Sequence, residues 1–187
     1  SEGFSEAYKF TTGGANDNIA LWTNLDAGYD ASNPFRNANA HYFLPSEDEW
    51  YKAAYYDPTK GGTGGYWLHA NQSDTMNTNT VGAAGAANYY AGDYAVTQSS
   101  SYSSSQNYLT DAGAFGANSD SFYGTNDQAG NVWEWNDAVI GSSRGLRGGS
   151  WNVISISLPA SFRFNFSPSS EETVPAFTTK RSSSRHT

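Results

Sequence analysis

The chain has 187 residues and a formal net charge of −8, and its aromatic residues, at 16%, slightly outnumber its charged residues, at 15%. It contains no cysteine, which excludes a disulfide framework, thiolate-bound metal centres and a thiol nucleophile. The acidic balance also argues against nucleic-acid binding, because that function requires basic side chains to neutralise phosphates.

The first forty residues predict irregular structure. Residues that favour turns recur there, among them Gly13-Gly14, Gly28 and Asn33-Pro34. The segment Ser1–Phe10 lacks the basic and apolar regions of a signal peptide, and no apolar run reaches the ~18–20 residues that cross a membrane. We therefore expect no membrane span in this chain.

A helix is predicted from residue 46 onwards. Ser46 is followed three residues later by Glu49, which is the spacing of a capping box, and apolar residues at helical spacing begin at Trp50. The pair Asp57-Pro58 should end this helix, because the residue before a proline disfavours helical backbone.

Residues 59–129 form a long stretch rich in glycine, serine, asparagine and threonine, and it includes the Ser-rich segment Gln98–Gln106. A stretch of this length is unusual as a connection inside a compact domain. Its aromatic residues, such as Tyr89, Tyr94 and Phe115, favour an ordered segment, because disordered segments are poor in aromatics. We therefore expect interactions other than regular secondary structure to hold it in place.

Strands are predicted in the C-terminal third. Val132–Trp135 is a short run of strand-forming residues, and Leu146–Trp151 is another, interrupted by Gly148-Gly149. In Phe162–Phe166, phenylalanine alternates with polar residues, so that one face is aromatic. We expect the aromatic side chains of these runs to lie in the core: Trp133, Trp135, Phe162, Phe164 and Phe166.

Three segments, in this order, resemble motifs of the formylglycine-generating enzyme (sulfatase-modifying factor) family. They are residues 44–50 (LPSEDEW), residues 130–135 (GNVWEW) and residues 146–151 (LRGGSW). Each is modest alone, but the three together form a specific signature, and the resemblance covers roughly residues 42–170. The amino-acid sequences of residues 42–46 and 161–166 are similar to those of secreted bacterial members of the family.

The resemblance implies an α+β fold that is irregular, loop-rich and C-type-lectin-like, with small twisted antiparallel sheets and few helices. It implies a single domain over residues 1–179 whose usual N-terminal part is missing here, in an extracellular or periplasmic protein. The closing strand of the family is not recognisable near the end of the chain. We expect the sequence to have been replaced from about Val174 onward, and a basic Ser-rich tail at 180–187 to be disordered.

Two calcium sites follow from the resemblance. The candidate ligands are, for the first site, the side chains of Asp127 and Glu134 with the carbonyls of Gly130 and Val132, and, for the second, Asn88 and Asp111 with the carbonyls of Tyr89 and Gly113. Carboxylate, amide and carbonyl oxygens are the ligands that calcium prefers, and a bound ion could order a segment that buries little apolar surface. The alternative is that the acidic residues are ordinary turn carboxylates.

The same resemblance places the catalytic copper of the family at two cysteines that follow the Gly-Gly-Ser motif, where this chain has Val153 and Leu158. Because Cu(I) selects thiolate and thioether ligands, we expect no copper and no oxidation of a substrate cysteine to formylglycine. The three histidines, His41, His69 and His186, are scattered without the spacing of a metal site, and we expect each to be exposed or partly packed. No nucleophile-elbow pattern supports hydrolysis.

With copper chemistry and hydrolysis not expected, the sequence is best interpreted as forming a binding surface. In this family the cleft is lined by the segment after Gly-Gly-Ser, and that segment combines flat apolar faces with hydrogen-bonding groups, as a saccharide or peptide site does. The candidate ligand-binding residues are Trp151, Asn152, Ser155, Ser157, Arg163 and Asn165. A core position is an equally good interpretation for Trp151, and Arg147 and Arg163 are candidates for buried ion pairs.

We therefore expect a calcium-stabilised module that binds a carbohydrate or protein ligand, and no catalytic residue is assigned. Two alternatives stay open. One is an enzyme of this superfamily whose chemistry the sequence does not reveal. The other is a ligand-binding variable protein of a diversity-generating retroelement, which the replacement of the cysteine pair in Val153–Leu158 permits.

Overall fold

A computed structural model describes residues 5–11, 18–76, 78–141 and 143–167. Within them the chain forms one helix and seven short strands, and the α+β, loop-rich fold class predicted from the sequence is confirmed. The elements are β1 (Lys9–Thr11), β2 (Asn18–Ala20), α1 (Glu47–Tyr55), β3 (Tyr56–Asp57), β4 (Gly65–Tyr66), β5 (Glu134–Ile140), β6 (Ser143–Arg147) and β7 (Phe164–Phe166), with 3-10 turns at Lys60–Gly62, Ala117–Ser119 and Ser155–Ser157.

The strands form three small sheets. β1 pairs with β2 and β3 pairs with β4, both antiparallel, while β5, β6 and β7 form a three-stranded sheet in that order. Turns and irregular segments connect these sheets over most of the described chain. In the residues described, no helix has the length and apolar character needed to cross a membrane.

The predicted capping box starts α1. The Ser46 amide donates to Glu49 Oε2 at 2.8 Å, and the Glu49 amide donates to Ser46 Oγ at 3.2 Å, so two amides without helical partners are satisfied reciprocally. Trp50 and Tyr55 are buried along the helix, and β3 follows directly, before Pro58. The start and the end of the helix therefore agree with the prediction.

The strands of the C-terminal third are shifted from their predicted bounds. The run expected at Val132–Trp135 begins at Glu134 and continues to Ile140 as β5. The run expected at Leu146–Trp151 ends at Arg147. Gly148 and Gly149 adopt φ values of 91° and 80°, whereas strand backbone has negative φ. The chain therefore leaves the direction of β6 at Gly148-Gly149.

The prediction of a phenylalanine core at residues 162–166 is wrong. Phe164 is 42% exposed, and Phe162 and Phe166 are only half-buried. β7 lies at the edge of its three-stranded sheet, which leaves these rings partly uncovered. Trp133 is buried as expected, and its ring lies 5.3 Å from that of Phe164, while Trp135 is half-buried.

The described residues divide into two compact units, the first formed by those within 1–50, 136–145 and 165–167, and the second by those within 51–135 and 146–164. The prediction of a single domain over residues 1–179 stays a prediction. The replacement expected from Val174 and the tail at 180–187 lie outside the described residues.

A partly buried carboxylate organises the first unit. Asp137 accepts a hydrogen bond from the Tyr8 hydroxyl at 2.8 Å and one from Asn33 Nδ2 at 3.3 Å, and Arg36 Nη1 lies 3.6 Å from it. The Tyr8 hydroxyl in turn accepts the Leu44 amide at 2.8 Å. Burial raises the pKa of Asp137, and burial together with the Asp137 charge raises the pKa of Tyr8.

Arg147 shows how polar groups are satisfied in the core of the second unit. Its guanidinium is buried, donates to the carbonyls of Ala160 and Phe162 at 2.8 and 2.6 Å, and lies over the Tyr51 ring. Arg163, the other candidate for a buried ion pair, is exposed. That interpretation is therefore wrong for Arg163, while Arg147 is buried as expected.

Two backbone segments of the second unit approach each other closely at Gly130. Its φ is 75°, and a β-carbon at this position would overlap the carbonyl oxygen of Asn88, with which Gly130 forms a parallel β-bridge. Only glycine fits here, because it tolerates the left-handed backbone and has no side chain.

Replacing Gly130 with alanine should therefore destabilise the protein by at least ~3 kcal/mol, from backbone strain together with the overlap. The matched control is Gly82→Ala, where φ is 80° but nothing lies within 4 Å of the added carbon, so that only the strain of ~1–2 kcal/mol is expected. Denaturant unfolding of both variants measures the difference. Equal losses would show that the approach to Asn88 is not constrained.

Candidate functional site

Two buried asparagine side chains connect the segments of the candidate site. Asn88, which is 1% exposed, donates from Nδ2 to the Tyr108 carbonyl at 2.9 Å and to Asn131 Oδ1 at 3.0 Å. Asn131 Oδ1 also accepts the Thr110 amide at 3.1 Å, and the Asn131 amide donates to the Asn88 carbonyl at 2.7 Å. The pair therefore joins three segments of chain that are distant in sequence.

The segment after the Gly-Gly-Ser motif attaches to the same pair. The Trp151 amide donates to the Asn131 carbonyl at 3.0 Å, and the Tyr90 amide donates to the Val153 carbonyl at 2.9 Å. These bonds fix the backbone of Trp151 and Val153, and so they set the position of the Trp151 ring.

Five aromatic rings gather at this point, and we call them the aromatic array: Tyr90, Tyr94, Tyr102, Tyr108 and Trp151. Trp151 stacks on Tyr108 with ring centroids 4.9 Å apart and planes within 8°. Tyr102 lies 5.6 Å from Tyr108 and 6.4 Å from Trp151, at interplanar angles of 18° and 10°. A single column would place its two outer rings much farther apart, so the three rings form an offset, nearly parallel layer.

Tyr94 lies against this layer at a tilt. Its ring centroid is 4.5 Å from that of Tyr108, 5.7 Å from that of Trp151 and 4.9 Å from that of Tyr90. Desolvation, together with the neighbouring tyrosines, raises the pKa of Tyr94, so its hydroxyl stays protonated near neutral pH. Offset and tilted contacts of this kind are the favourable geometries for aromatic pairs.

The Tyr108 hydroxyl holds the Ser-rich segment on the array. It accepts the Ser103 amide at 2.8 Å and donates to the Ser101 carbonyl at 3.3 Å. The residue between them, Tyr102, is thereby placed on the layer with 62% of its surface exposed, whereas Tyr108 is buried beneath it and Trp151 is half-buried. The array thus has a buried base and an accessible outer face.

The predicted ligand-binding residues are only partly brought together. Trp151 belongs to the array, and Asn152, Ser155 and the half-buried Ser157 follow it on the surface. Asn152 Oδ1 accepts the Ser150 hydroxyl at 2.7 Å. The remaining two candidates are both exposed. Arg163 belongs to the second unit, as Trp151 does, whereas Asn165 lies on β7 in the first unit.

The sequence prediction missed Tyr102 and Tyr108 as site residues. They lie in a Ser-rich stretch that has no period from which a face could be recognised. The available signal was compositional, because tyrosines embedded in an uncharged serine-rich segment need a packing partner if the segment is ordered. The identity of that partner, Trp151, is a tertiary property.

The second set of predicted calcium ligands includes a buried amide, that of Asn88. The acceptors around Asn88 Nδ2 fix the orientation of its amide, and Asn88 Oδ1 is then a buried oxygen without a hydrogen-bond partner. Asp111 is exposed, and the Tyr89 and Gly113 carbonyls each accept one hydrogen bond, from Asn79 and Gly116. A buried amide oxygen without a hydrogen-bond partner is an oxygen of the kind that a calcium ion coordinates.

The first predicted calcium set is connected to the second. Asp127 adopts a φ of 55°, and its Oδ2 accepts the Gly113 amide at 2.8 Å, so one ligand of each predicted site meets at this bond. Both residues line a small cavity together with Asp120. In the part of the chain that the structure describes, no three acidic or histidine side chains form a cluster, so an ion would depend on amide and carbonyl oxygens.

The positions that correspond to the copper cysteines are packed with hydrocarbon. Val153 and Leu158 both lie against Gly149, where a β-carbon would collide with Leu158 and crowd Val153, and Leu158 is fully buried. His69 is also buried, contrary to the expectation of an exposed or partly packed histidine, and desolvation lowers its pKa. His41 is exposed as expected, and His186 lies outside the described residues.

A family model described as "Sulfatase-modifying factor enzyme 1-like domain" matches residues 6–177. No curated protein matches the chain. Among solved structures, the chain is similar to variable protein 1 of Treponema denticola, with 26% sequence identity and a TM-score of 0.40. The similarity covers 68% of this chain and 43% of that protein, so the chain spans less than half of its length.

Removing the Tyr108 hydroxyl should release the Ser-rich segment and leave the ring layer in place. We expect Tyr108→Phe to cost about 1–2 kcal/mol of unfolding free energy and to accelerate hydrogen exchange at the Ser103 amide, because that amide loses its acceptor. The control, Tyr102→Phe, changes an exposed ring and should stay within about 0.5 kcal/mol. Unchanged exchange at Ser103 in Tyr108→Phe would contradict this role.

Proposed function

The chain belongs to the sulfatase-modifying factor enzyme 1-like family, and we propose that it serves there as a calcium-stabilised module that binds a carbohydrate or protein ligand. The observation that carries the proposal is the aromatic array, whose outer face presents Tyr102 and Trp151. Flat rings on a preformed base supply large contact areas with little loss of conformational entropy.

Polar groups beside the array support recognition rather than simple core packing. Asn152 and Ser155 are exposed directly after Trp151, and the serines of Gln98–Gln106 surround Tyr102. Amide and hydroxyl groups of this kind fix the orientation of a ligand through hydrogen bonds. A ring layer flanked by such groups therefore suits a binding site better than it suits catalysis.

We further propose that the chain does not carry out the copper-dependent oxidation of the family that it resembles. Val153 and Leu158, which stand at the cysteine positions, are packed against Gly149 and offer no donor atom to a metal. Neither aliphatic side chain is a copper ligand.

Calcium completes the proposed site by ordering its support. Asn88 Oδ1, left without a hydrogen-bond partner, would coordinate the ion, together with Asp111 and the Tyr89 and Gly113 carbonyls. Because Asn88 also holds the Tyr108 carbonyl, an ion at this place would stabilise the base of the array. We place this role outside the cytoplasm, as in the secreted members that the sequence resembles.

Calcium should raise the thermal midpoint by about 5–10 °C over the value in chelator, since binding at 100 times the dissociation constant adds about 2.7 kcal/mol. The variant Asp111→Asn removes one proposed ligand charge and should lose most of this rise. The control Asp48→Asn, at an exposed position of α1, should keep it. Equal midpoints in calcium and chelator for the unaltered chain would contradict the calcium proposal.

Arrays of neutral glycans and of peptides test the binding function. We expect binding that falls more than about tenfold, or roughly 1.4 kcal/mol, in Trp151→Leu, which keeps an apolar side chain but removes the flat face. The control Tyr123→Leu changes an exposed aromatic residue outside the array and should bind normally. No binding to either array, or equal binding by Trp151→Leu and Tyr123→Leu, would count against the proposed site.

A further inference from the structure

A buried histidine lies at the start of a tight turn in the second unit. The His69 amide donates to the Ser73 carbonyl at 2.9 Å, and the two residues form an isolated antiparallel bridge. Between them Gln72 adopts a φ of 55°, which closes the turn. We call residues 68–74 the histidine turn.

Two buried polar atoms of the histidine turn are unsatisfied. His69 is 5% exposed and has no hydrogen-bond partner for Nδ1 among the described residues, and the same holds for Oδ1 of the buried Asn71. A neutral imidazole leaves one ring nitrogen unpaired here, whereas an imidazolium donates from both nitrogens and carries a charge. Protonation of His69 in the closed turn would therefore bury a charged donor without an acceptor, which is strongly unfavourable.

The histidine turn is bonded to three other segments of the second unit. Each bond joins one residue of the turn to one backbone group elsewhere: the Leu68 carbonyl accepts the Ala160 amide at 2.8 Å, Gln72 Nε2 donates to the Asp120 carbonyl at 3.1 Å, and Asn71 Nδ2 donates to the Gly85 carbonyl. Opening the turn would release all three segments, at 85, 120 and 160, together.

The carboxylate that attracts a charge on His69 is already engaged. It belongs to Asp74, which accepts Lys60 Nζ at 2.7 and 2.9 Å and the Leu68 amide at 3.0 Å. Asp74 could approach a charged imidazole only by giving up these bonds. The other charged side chains on or bonded to the residues just named are Lys60, Asp120 and Arg147, the last of which donates to the Ala160 carbonyl.

We infer that His69 is a pH-sensitive switch: while its imidazole is neutral the histidine turn stays bonded to the segments at 85, 120 and 160, and protonation of the imidazole releases them. This inference goes beyond the proposed binding function and does not depend on it, because it concerns the opening of the second unit and no ligand. Buried polar atoms without partners lower the cost of that opening.

The sign of the pH effect follows from burial. Burial lowers the pKa of His69 from its ordinary value of 6.5, and the Asp74 charge acts in the opposite direction. The open turn therefore binds the proton more readily than the closed turn does. The closed turn is fully favoured above about pH 6.5, and it loses up to tenfold in its closing equilibrium for each pH unit from there down to the folded-state pKa.

Other titrating groups can be separated from His69. Hydrogen bonds lower the pKa values of Asp57 and Asp74 from an ordinary value of 3.8, so these two carboxylates titrate at more acidic pH. Burial raises the pKa of Asp137 in the first unit, and this group contributes with the opposite sign, because its protonated form is favoured in the folded chain. A probe located at the histidine turn is therefore needed.

Hydrogen exchange at the Ala160 amide, whose acceptor is the Leu68 carbonyl, is that probe. After division by the intrinsic exchange rate at each pH, we expect exchange at Ala160 to accelerate about three- to tenfold between pH 7.5 and pH 5.5. The Asn131 amide, which donates to the Asn88 carbonyl away from the turn, should change less. Equal acceleration at both amides would overturn a switch located at the turn.

The variant His69→Gln keeps a neutral polar side chain that does not titrate. Whatever its effect on stability, it should abolish the acceleration at Ala160 between pH 7.5 and pH 5.5. The matched control His41→Gln changes an exposed histidine of the first unit and should keep the acceleration. An acceleration in His69→Gln equal to that in the unaltered chain would overturn the inference.

An NMR titration of the His69 ring in the unaltered chain provides a second measurement, which stands even if His69→Gln does not fold. We expect the ring signals of the folded chain to titrate with a midpoint below 6.5. A midpoint at or above 6.5 would show that the folded turn accommodates the charge, and would overturn the switch. Binding on glycan or peptide arrays bears on neither measurement, so this inference and the proposed function can fail separately.

Discussion

The amide pair of Asn88 and Asn131 is the interaction on which the second unit depends. It joins the strand-like segment at 88–90, the segment at 108–110 and the Gly-Asn turn at 130–131 without any regular sheet between them. Each bond contributes only about 1 kcal/mol, but leaving either amide unsatisfied in the interior would cost about 1–3 kcal/mol. The pair therefore acts as a specific connector in a fold that has little regular secondary structure.

The position of the aromatic array follows from this connector through two short chains of contacts. The Asn131 carbonyl fixes Trp151, and the Asn88 side chain fixes Tyr108, so the two rings that stack most closely are both positioned by the same pair. Tyr108 then holds the Ser-rich segment through its hydroxyl. A loop without charge or periodicity is ordered in this way, and its Tyr102 remains exposed.

The first unit uses a different solution for its irregular segments. Asp137 gathers Tyr8, Asn33 and Arg36 around one partly buried carboxylate, while the Tyr8 hydroxyl also holds the Leu44 amide. Burial raises the pKa of Asp137, while the hydrogen bonds from Tyr8 and Asn33 act in the opposite direction. In both units, side-chain hydrogen bonds replace the backbone ladders that would order a regular sheet or helix bundle.

The sequence by itself determined the family, the α+β class, the capping box of α1 and the absence of thiol chemistry, because these depend on local motifs and composition. It also predicts Trp151 as a ligand-binding residue and, through the family resemblance, Asn88 as a calcium ligand; both stay predictions. Only the tertiary structure decided that Phe164 is exposed at a sheet edge and that Tyr102 and Tyr108 join Trp151. The physical reason is that hydrogen bonds between residues distant in sequence produce no pattern that can be recognised in the sequence. Caps and turns, in contrast, produce local motifs.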